Sequence, residues 1–302
     1  MITYPNVKVN LGLNVLRRRP DGYHDLETLF LPYSGIHDVL EIVSGDDYSR
    51  TSSVLFAKYG EPGRIAQAVS PDGKVMITAA RQEGIGWDPL KDLCVKAYSL
   101  LDADFGLPPV KIFLEKLSPV GAGLGGGSAD AAFTVRMLND MFSLGLDDGR
   151  MASYAAELGS DCAFFIYNRP MIGQGRGEIL SEYSLPGIDI RCPGDSGPVA
   201  GEPDGVDVKD RYVMQVVVPE GIAVSTADAY RGIVPSEPEI PLREVLSMPV
   251  GKWRDHLKNS FEDTVFAKYP QLEAIKRSLY ESGAVYASMS GSGSALFAIY
   301  PA

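Results

Sequence analysis

Apolar and polar residues alternate near the start of the chain, which predicts a β-strand. The odd positions from Val7 to Val15 are valine or leucine, and the even positions between them are lysine, asparagine or glycine. A period of two is typical of a half-buried strand. It places Lys8 and Asn10 together on the face opposite the apolar one. A turn signal of proline, aspartate and glycine follows at residues 20–22.

Similar patterns predict further strands and helices along the chain. Strands are expected at residues 23–33, 39–43, 110–114, 212–218, 285–289 and 295–300. Helices are expected at residues 93–101, 129–142, 148–158, 227–233, 256–266 and 271–280. This mixture indicates an α+β protein of two domains, which we place at residues 1–160 and 161–302.

Two segments carry no such pattern. Residues 44–74 are rich in serine, glycine, aspartate and proline, so we expect them to be irregular, with short strands at most. Residues 182–211 are longer than the usual connection in a compact domain, which leaves a functional loop, an insertion and a disordered stretch as alternatives.

Composition and charge narrow the class of protein. Of the 302 residues, 45% are hydrophobic and 22% are charged, as in packed globular chains. The net charge of −11 argues against a general nucleic-acid binder but leaves room for a local basic pocket. We expect no membrane span, since no apolar run reaches about 18 residues, and no signal peptide. Cys94, Cys162 and Cys192 have neither metal-ligand nor disulfide spacing, so we expect buried thiols in a reducing cytoplasm.

A glycine-rich segment is the strongest indication of chemistry. Residues 121–128 contain five glycines between a predicted strand and a predicted helix. Glycine lets the backbone approach a ligand closely, and the N-terminus of a helix offers unpaired N–H groups and partial positive charge. The segment is therefore predicted to bind phosphate, with the Ser128 hydroxyl on phosphate or a metal ion. A flexible turn is the simpler alternative.

The segment matches the sequence patterns of two well-known phosphate-binding loops poorly. A Walker A loop needs lysine where Gly127 stands. Gly121, Gly123 and Gly126 satisfy the dinucleotide pattern G-x-G-x-x-G, but the preceding strand is interrupted by charges and the helix is followed by another helix. A dinucleotide-dependent oxidoreductase remains an alternative.

Three segments instead resemble, in order, the motifs of a known family. The glycine-rich segment within residues 119–132 (PVGAGLGGGSADAA) resembles the second motif of the GHMP kinases, the family of galactokinase and of homoserine, mevalonate and phosphomevalonate kinases. Residues 8–13 (KVNLGL) resemble the first motif of this family, and residues 288–297 (SMSGSGSALF) resemble the third. The resemblance covers nearly the whole chain. The loop has Ala129 where the family commonly has a second serine, although alanine also occurs there.

Further motifs indicate one branch of this family. Residues 19–24 (RPDGYH), 27–30 (ETLF) and 158–165 (LGSDCAFF) are similar to the branch that phosphorylates the 2-hydroxyl of 4-diphosphocytidyl-2-C-methyl-D-erythritol in the non-mevalonate isoprenoid pathway. The resemblance implies an N-terminal domain like domain 2 of ribosomal protein S5 and a ferredoxin-like C-terminal domain. It also implies ATP, with Mg²⁺, and a small-molecule acceptor that carries cytidine diphosphate.

The resemblance also implies roles for individual residues. Asp161 is implied as the base that takes the proton of the acceptor hydroxyl, and Lys8 as the cation that lowers the pKa of that hydroxyl. A helix-capping or surface aspartate is the alternative for Asp161, and a lysine on a solvated strand face is the alternative for Lys8. The implied substrate contacts, with aromatic rings around the cytosine, are Asn10, Tyr23, His24, Phe30, Thr226 and Tyr230. The implied ATP contacts are Lys116 (near the adenine), Pro119, Gly121, Ala122, Gly123, Leu124, Gly125, Gly126, Gly127 and Ser128.

Other functions remain open on the sequence alone. Mg²⁺ is expected on the ATP phosphates, with Ser128 as the candidate protein ligand and no residue fixed as a metal ligand. A homoserine-type or mevalonate-type kinase would share the three motifs. A regulatory protein that binds nucleotide without turnover would share the fold.

Overall fold

The computed structural model of the chain describes residues 1–45, 47–193 and 210–302. These residues form two compact units, each assembled from separate segments. The first unit comprises Met1–Val7, Ile36–Val120 and Gly125–Asn168. The second comprises Lys8–Gly35, Gly121–Leu124 and Arg169–Ala302. The division into domains at residues 160 and 161 stays a prediction.

A five-stranded sheet is the base of the first unit, in the order β1-β4-β7-β6-β5. Its neighbours pair antiparallel, apart from the parallel pair β6 and β7. The apolar alternation at residues 110–114 correctly predicts the buried central strand β7. The strands are β1 (Ile2–Thr3), β4 (Val39–Ser44), β5 (Ile65–Val69), β6 (Val75–Ala80) and β7 (Val110–Glu115).

Five helices complete the first unit. They are α1 (Ser52–Tyr59), α2 (Leu93–Phe105), α3 (Gly126–Phe142), α4 (Asp148–Leu158) and α5 (Cys162–Tyr167). Asp92 caps α2, because its carboxylate accepts a hydrogen bond from Cys94 N at 2.9 Å. The expectation that residues 44–74 lack helix is wrong. Leu55 and Tyr59 hold α1 in place by packing into a cluster with Val43.

The second unit contains two four-stranded sheets, ordered β2-β3-β8-β9 and β10-β11-β13-β12. Strand β10 lies inside the segment 182–211, where no element was expected, and it pairs in parallel with β11. Residues 194–209 of that segment lie outside the described residues. The strands are β2 (Asn6–Arg18), β3 (His24–His37), β8 (Met171–Gly175), β9 (Ile179–Glu182), β10 (Ile188–Arg191), β11 (Asp210–Val217), β12 (Tyr286–Met289) and β13 (Leu296–Pro301).

Short helices pack on these sheets. They are α6 (Thr226–Arg231), α7 (Leu242–Leu246), α8 (Trp253–His256), α9 (Glu262–Lys268) and α10 (Pro270–Glu281). The prediction of one helix over residues 256–266 is wrong, because the backbone there pairs with β2. Leu13 N donates to Lys258 O at 2.8 Å, and Ser260 N donates to Leu13 O at 2.8 Å. These two bonds hold the chain extended between α8 and α9.

The three cysteines are buried free thiols, as expected. In the part of the chain that the structure describes, no helix is both long and apolar enough to cross a bilayer. The content of helix and sheet confirms the α+β class.

Candidate active site

Lys8 and Asn10 lie on one face of β2, as the alternation predicts. The Lys8 ammonium donates to Asn10 Oδ1 at 2.5 Å and to the carbonyl oxygen of Gly123 at 3.1 Å. It also lies 5.4 Å from the centre of the Phe30 ring. Lys8 is only 3% exposed. Burying a charge costs free energy, and the hydrogen bonds to these partners offset part of that cost. A solvated lysine is therefore ruled out.

Thr28 fixes the orientation of Asn10. The Asn10 Nδ2 group donates to Thr28 Oγ1 at 3.2 Å, and Thr28 Oγ1 donates to the carbonyl of Gly12 at 2.5 Å. With its nitrogen committed to Thr28, the amide must present its oxygen to Lys8. This role of Thr28 was not predicted, although the residue lies inside the motif at residues 27–30.

The third motif packs directly against the first half of the glycine-rich loop. Ser290 Oγ donates to the carbonyl of Gly123 at 3.1 Å and accepts a hydrogen bond from Asn10 N at 3.3 Å. A Cβ on Gly123 would lie 2.2 Å from the carbonyl oxygen of Ser290, and a Cβ on Gly291 would lie 3.0 Å from that of Gly123. Only glycine permits this approach, so the motif spacing has a packing cause.

Three further residues donate hydrogen bonds at the same junction. Ala295 N donates to the carbonyl of Ala122 at 3.1 Å, and Lys8 N donates to that of Leu124 at 3.0 Å. Asn259 donates through Nδ2 to the carbonyls of Met289 at 2.7 Å and Gly291 at 2.9 Å. Nothing in the local sequence singles out Asn259, which acts on residues about thirty positions away.

The second half of the loop becomes the first turn of α3. Gly125 is in the left-handed region, with φ of +73°, and precedes the helix. Gly126, Gly127 and Ser128 form the first turn, three residues earlier than the predicted helix start. Their N–H groups have no intrahelical acceptors and carry the positive end of the helix dipole. This turn therefore has the chemistry of an anion site. Half-buried Pro119 lies just before the loop, and Gly121 within it has φ of +74°.

Lys116 lies in a buried ionic cluster. Its ammonium donates to Asp38 Oδ2 and to Asp130 Oδ2, both at 2.5 Å. Burial works to lower the pKa of Lys116, but attraction to the two carboxylates outweighs it, so the pKa is raised. Burial, and then Asp38, raise the pKa of Asp130, although Lys116 opposes them. The adenine contact assigned to Lys116 stays a prediction.

Asp161 comes directly before α5, and its side chain makes no capping hydrogen bond to that helix. The helix-cap interpretation is therefore wrong. The next residue, Cys162, lies within hydrogen-bond reach of the Ser128 hydroxyl, and burial raises the pKa of its thiol to about 12. This contact joins the segment that carries Asp161 to the first turn of α3.

Several of the predicted substrate residues lie together in the second unit. The rings of His24 and Tyr230 stack with centres 5.0 Å apart, and Tyr230 packs edge-on against Phe261 at 4.8 Å. Burial, and then the charge of Arg18, lower the pKa of His24, which favours a neutral imidazole.

Tyr23 and Thr226 have separate contacts in the same unit. Tyr23 is 56% exposed, with the Arg176 guanidinium 5.0 Å from its ring centre. The hydroxyls of Thr226 and Ser292 lie 2.9 Å apart, which joins α6 to the third motif.

The described residues contain no group of three or more histidine, cysteine or acidic side chains arranged to hold a metal. A divalent ion that arrives on the phosphates of a nucleotide needs few protein ligands. The first turn of α3 fits such a phosphate-bound ion, because it offers N–H donors for phosphate and the Ser128 hydroxyl as a protein ligand.

Comparison with known proteins shows the family to which the chain belongs. Residues 92–169 match the model of the GHMP kinases N terminal domain, and residues 249–302 match that of the GHMP kinases C terminal domain. The chain is 42% identical over 300 residues to the 4-diphosphocytidyl-2-C-methyl-D-erythritol kinase of Bacteroides fragilis, covering 99% of this chain and 92% of that protein. It is 40% identical to the kinase of the same name from Bacteroides thetaiotaomicron, with the same coverage.

Solved structures agree with the sequence matches. A crystal structure of 4-(cytidine 5'-diphospho)-2C-methyl-D-erythritol kinase matches with a TM-score of 0.69 and 30% identity, covering 99% of this chain and 89% of that one. The Methanococcus jannaschii mevalonate kinase shares the fold, with a TM-score of 0.60 at 12% identity, over 99% of this chain and 90% of that one. The expected GHMP kinase fold is confirmed. The chain belongs to the GHMP kinases and, among them, to the 4-diphosphocytidyl-2-C-methyl-D-erythritol kinase family.

Proposed function

We propose that this chain transfers the γ-phosphoryl group of ATP to the 2-hydroxyl of 4-diphosphocytidyl-2-C-methyl-D-erythritol. The names of its relatives, at 42% and 40% identity over nearly the whole chain, support this substrate. The observation that carries the chemistry is the bond between the buried Lys8 ammonium and the carbonyl of Gly123. It fixes a cation beside the glycine-rich loop, where phosphoryl transfer needs one.

The phosphate groups of ATP bind, in this proposal, to the N–H groups at the start of α3. Membership of the GHMP kinases makes the chain an ATP-using protein. The glycines at 125, 126 and 127 have no side chains of their own beside these N–H groups, which lets a phosphoryl group approach the backbone. The same donors then stabilise the negative charge of the transferring group without reorganising. Mg²⁺ on the phosphates supplies further charge neutralisation, with Ser128 as its proposed protein ligand.

Lys8 and Asp161 perform the proton chemistry of the proposed reaction. Asp161 accepts the proton of the acceptor hydroxyl, because an alcohol of high pKa attacks poorly while protonated. Lys8 lowers the pKa of that hydroxyl through its positive charge. Asn10 and Thr28 support this role, since they hold the ammonium in one place rather than leaving it mobile.

Aromatic residues select the cytidyl end of the proposed substrate. The stacked pair of His24 and Tyr230 provides parallel rings of the kind that bind bases, and exposed Tyr23 adds another. A neutral His24 can both donate and accept a hydrogen bond, which suits the edge of a cytosine. We extend the proposal to Phe30, beside Lys8, and to Thr226, beside Ser292. A cytoplasmic location is also proposed, because three buried free thiols suit a reducing compartment.

Competition by cytidine 5'-diphosphate tests this assignment. We expect it to raise the KM of the acceptor while leaving the KM of ATP within about twofold, since it carries the cytosine of the acceptor and lacks the adenine of ATP. Uridine 5'-diphosphate is the matched control and should compete more weakly. Equal competition by both, or competition against ATP alone, would contradict a cytidine site and favour a homoserine-type or mevalonate-type kinase. ATP binding without ADP release from any acceptor would favour a regulator.

A further inference from the structure

Asp38 accepts four hydrogen bonds from the short segment that precedes the glycine-rich loop. The backbone N–H groups of Leu117 and Ser118 each donate to Oδ1 at 2.6 Å. The Ser118 hydroxyl donates to Oδ2 at 2.7 Å, and the Lys116 ammonium donates to Oδ2 at 2.5 Å. The side chain is fully buried. One carboxylate thus fixes three consecutive residues.

Asp38 is itself held rigidly. Its N–H group donates to the carbonyl of Pro5 at 2.9 Å, and β4 begins at the next residue. Residues 116–118 are therefore held by a rigid residue of the same compact unit. That residue, Asp38, lies about eighty positions earlier in the sequence. Charge-assisted hydrogen bonds of this kind are short and stronger than neutral ones.

The fixed segment lies directly against the first turn of α3. A Cβ on Gly126 would lie 2.1 Å from Ser118 Oγ, 3.0 Å from Ser118 Cβ and 3.1 Å from Lys116 Nζ. Ser118 and Lys116 therefore define how close the backbone of Gly126 can come. Asp130, four residues further along α3, accepts from the same ammonium at 2.5 Å. The position of this turn is thus set by the cluster beneath it.

We propose that Asp38 is a positioning residue for ATP: through Ser118 and Lys116 it sets the place of Gly126 and of the phosphate-binding turn of α3. Asp38 acts through other residues and does not touch the nucleotide. The proposal rests on ATP use by the chain and not on the identity of the acceptor.

Asp38→Asn is the direct test, because it keeps the shape of the side chain and removes its charge. Glu41→Gln is a matched control. Glu41 is also buried, in the same unit, and accepts hydrogen bonds from Ser49, Arg50 and Thr51, none of which belongs to the loop or to the segment before it. Both variants should lower the urea midpoint, since each weakens a buried carboxylate network.

Binding of a fluorescent ATP analogue, measured without acceptor, separates positioning from stability. We expect the Kd to rise about tenfold in Asp38→Asn, which corresponds to 1.4 kcal/mol, and to stay within about twofold in Glu41→Gln. Equal Kd values in Asp38→Asn and the parent chain would overturn the proposal, as would an equal loss in Glu41→Gln. Because no acceptor is present, failure here is distinguishable from failure of the proposed function.

A second pair of variants keeps the test informative if Asp38→Asn does not fold. Gly126→Ala should weaken binding of the analogue, because the added methyl group collides with Ser118 Oγ. Adding Ser118→Ala removes that oxygen and leaves the contacts with the Cβ of residue 118 at 3.0 Å and with Lys116 Nζ at 3.1 Å, so the double variant should bind more tightly than Gly126→Ala alone. A double variant that binds no better would contradict the role of Ser118.

Discussion

Replacing Gly123 by alanine should separate backbone strain from packing at the loop. Gly123 has φ of +78°, and its new Cβ would lie 2.2 Å from the carbonyl oxygen of Ser290 and 3.1 Å from Gly293 N. An alanine in the left-handed region costs about 1–2 kcal/mol. Overpacking against backbone atoms costs a further ~1–3 kcal/mol. The expected loss in the free energy of unfolding is therefore about 2–5 kcal/mol.

Two other glycines provide matched controls. Gly121 has φ of +74° and Gly145 has φ of +70°, and neither new Cβ would meet any atom within 4 Å. Each alanine variant should lose only the strain of about 1–2 kcal/mol. Gly145→Ala lies outside the loop and should also keep the parent KM for ATP.

Urea unfolding of the three variants gives the comparison. The slope of free energy against urea should stay constant, so that differences in midpoint report stability. Gly123→Ala should unfold at clearly lower urea than Gly121→Ala, and it should raise the KM for ATP. Equal midpoints for these two variants would refute the argument that the third motif packs on Gly123.

Three further predictions concern the chemistry and the acceptor. Asp161→Asn should lower kcat by about 10²–10⁴ with a circular dichroism spectrum like that of the parent, and near-normal turnover would exclude Asp161 as the base. Tyr230→Ala should raise the KM of the acceptor about 5–100-fold while Tyr230→Phe stays within about twofold, as initial rates would report, because stacking needs the ring and not the hydroxyl. Asp130 has a pKa raised by burial, so the native state holds its proton more tightly than the unfolded state does. The stability it contributes is present below its unfolded pKa of about 3.8 and is lost as pH rises through the higher native value. Asp130→Asn should therefore become more stable relative to the parent chain as pH rises, and urea midpoints that shift in parallel would contradict a raised pKa for Asp130.

The pattern of apolar and polar residues predicted the elements whose structure depends on residues close together in the sequence. Alternation predicted β2 and β7, because the burial of a strand follows a period of two residues. The same reasoning put Lys8 beside Asn10. The glycines of the loop indicated close backbone contact, which the third motif supplies at Gly123.

Contacts between residues that lie far apart in the sequence explain most of the features that were not predicted. The helix over 256–266 breaks because Leu13 pairs with Lys258 and Ser260, more than 240 positions away. Asp38 has no motif around it and becomes important only when folding brings Ser118 to it. Helix α1 depends on the packing of two apolar residues inside a polar segment.

ADP release from Mg-ATP, measured with three acceptors in parallel, tests the central claim most directly. The acceptors are 4-diphosphocytidyl-2-C-methyl-D-erythritol, mevalonate and homoserine. We predict turnover with the cytidyl substrate and none above background with the other two, because only the first engages both the aromatic residues and the proton-transfer residues. Turnover with mevalonate or homoserine, or none with the cytidyl substrate despite measurable ATP binding, would contradict the proposed function.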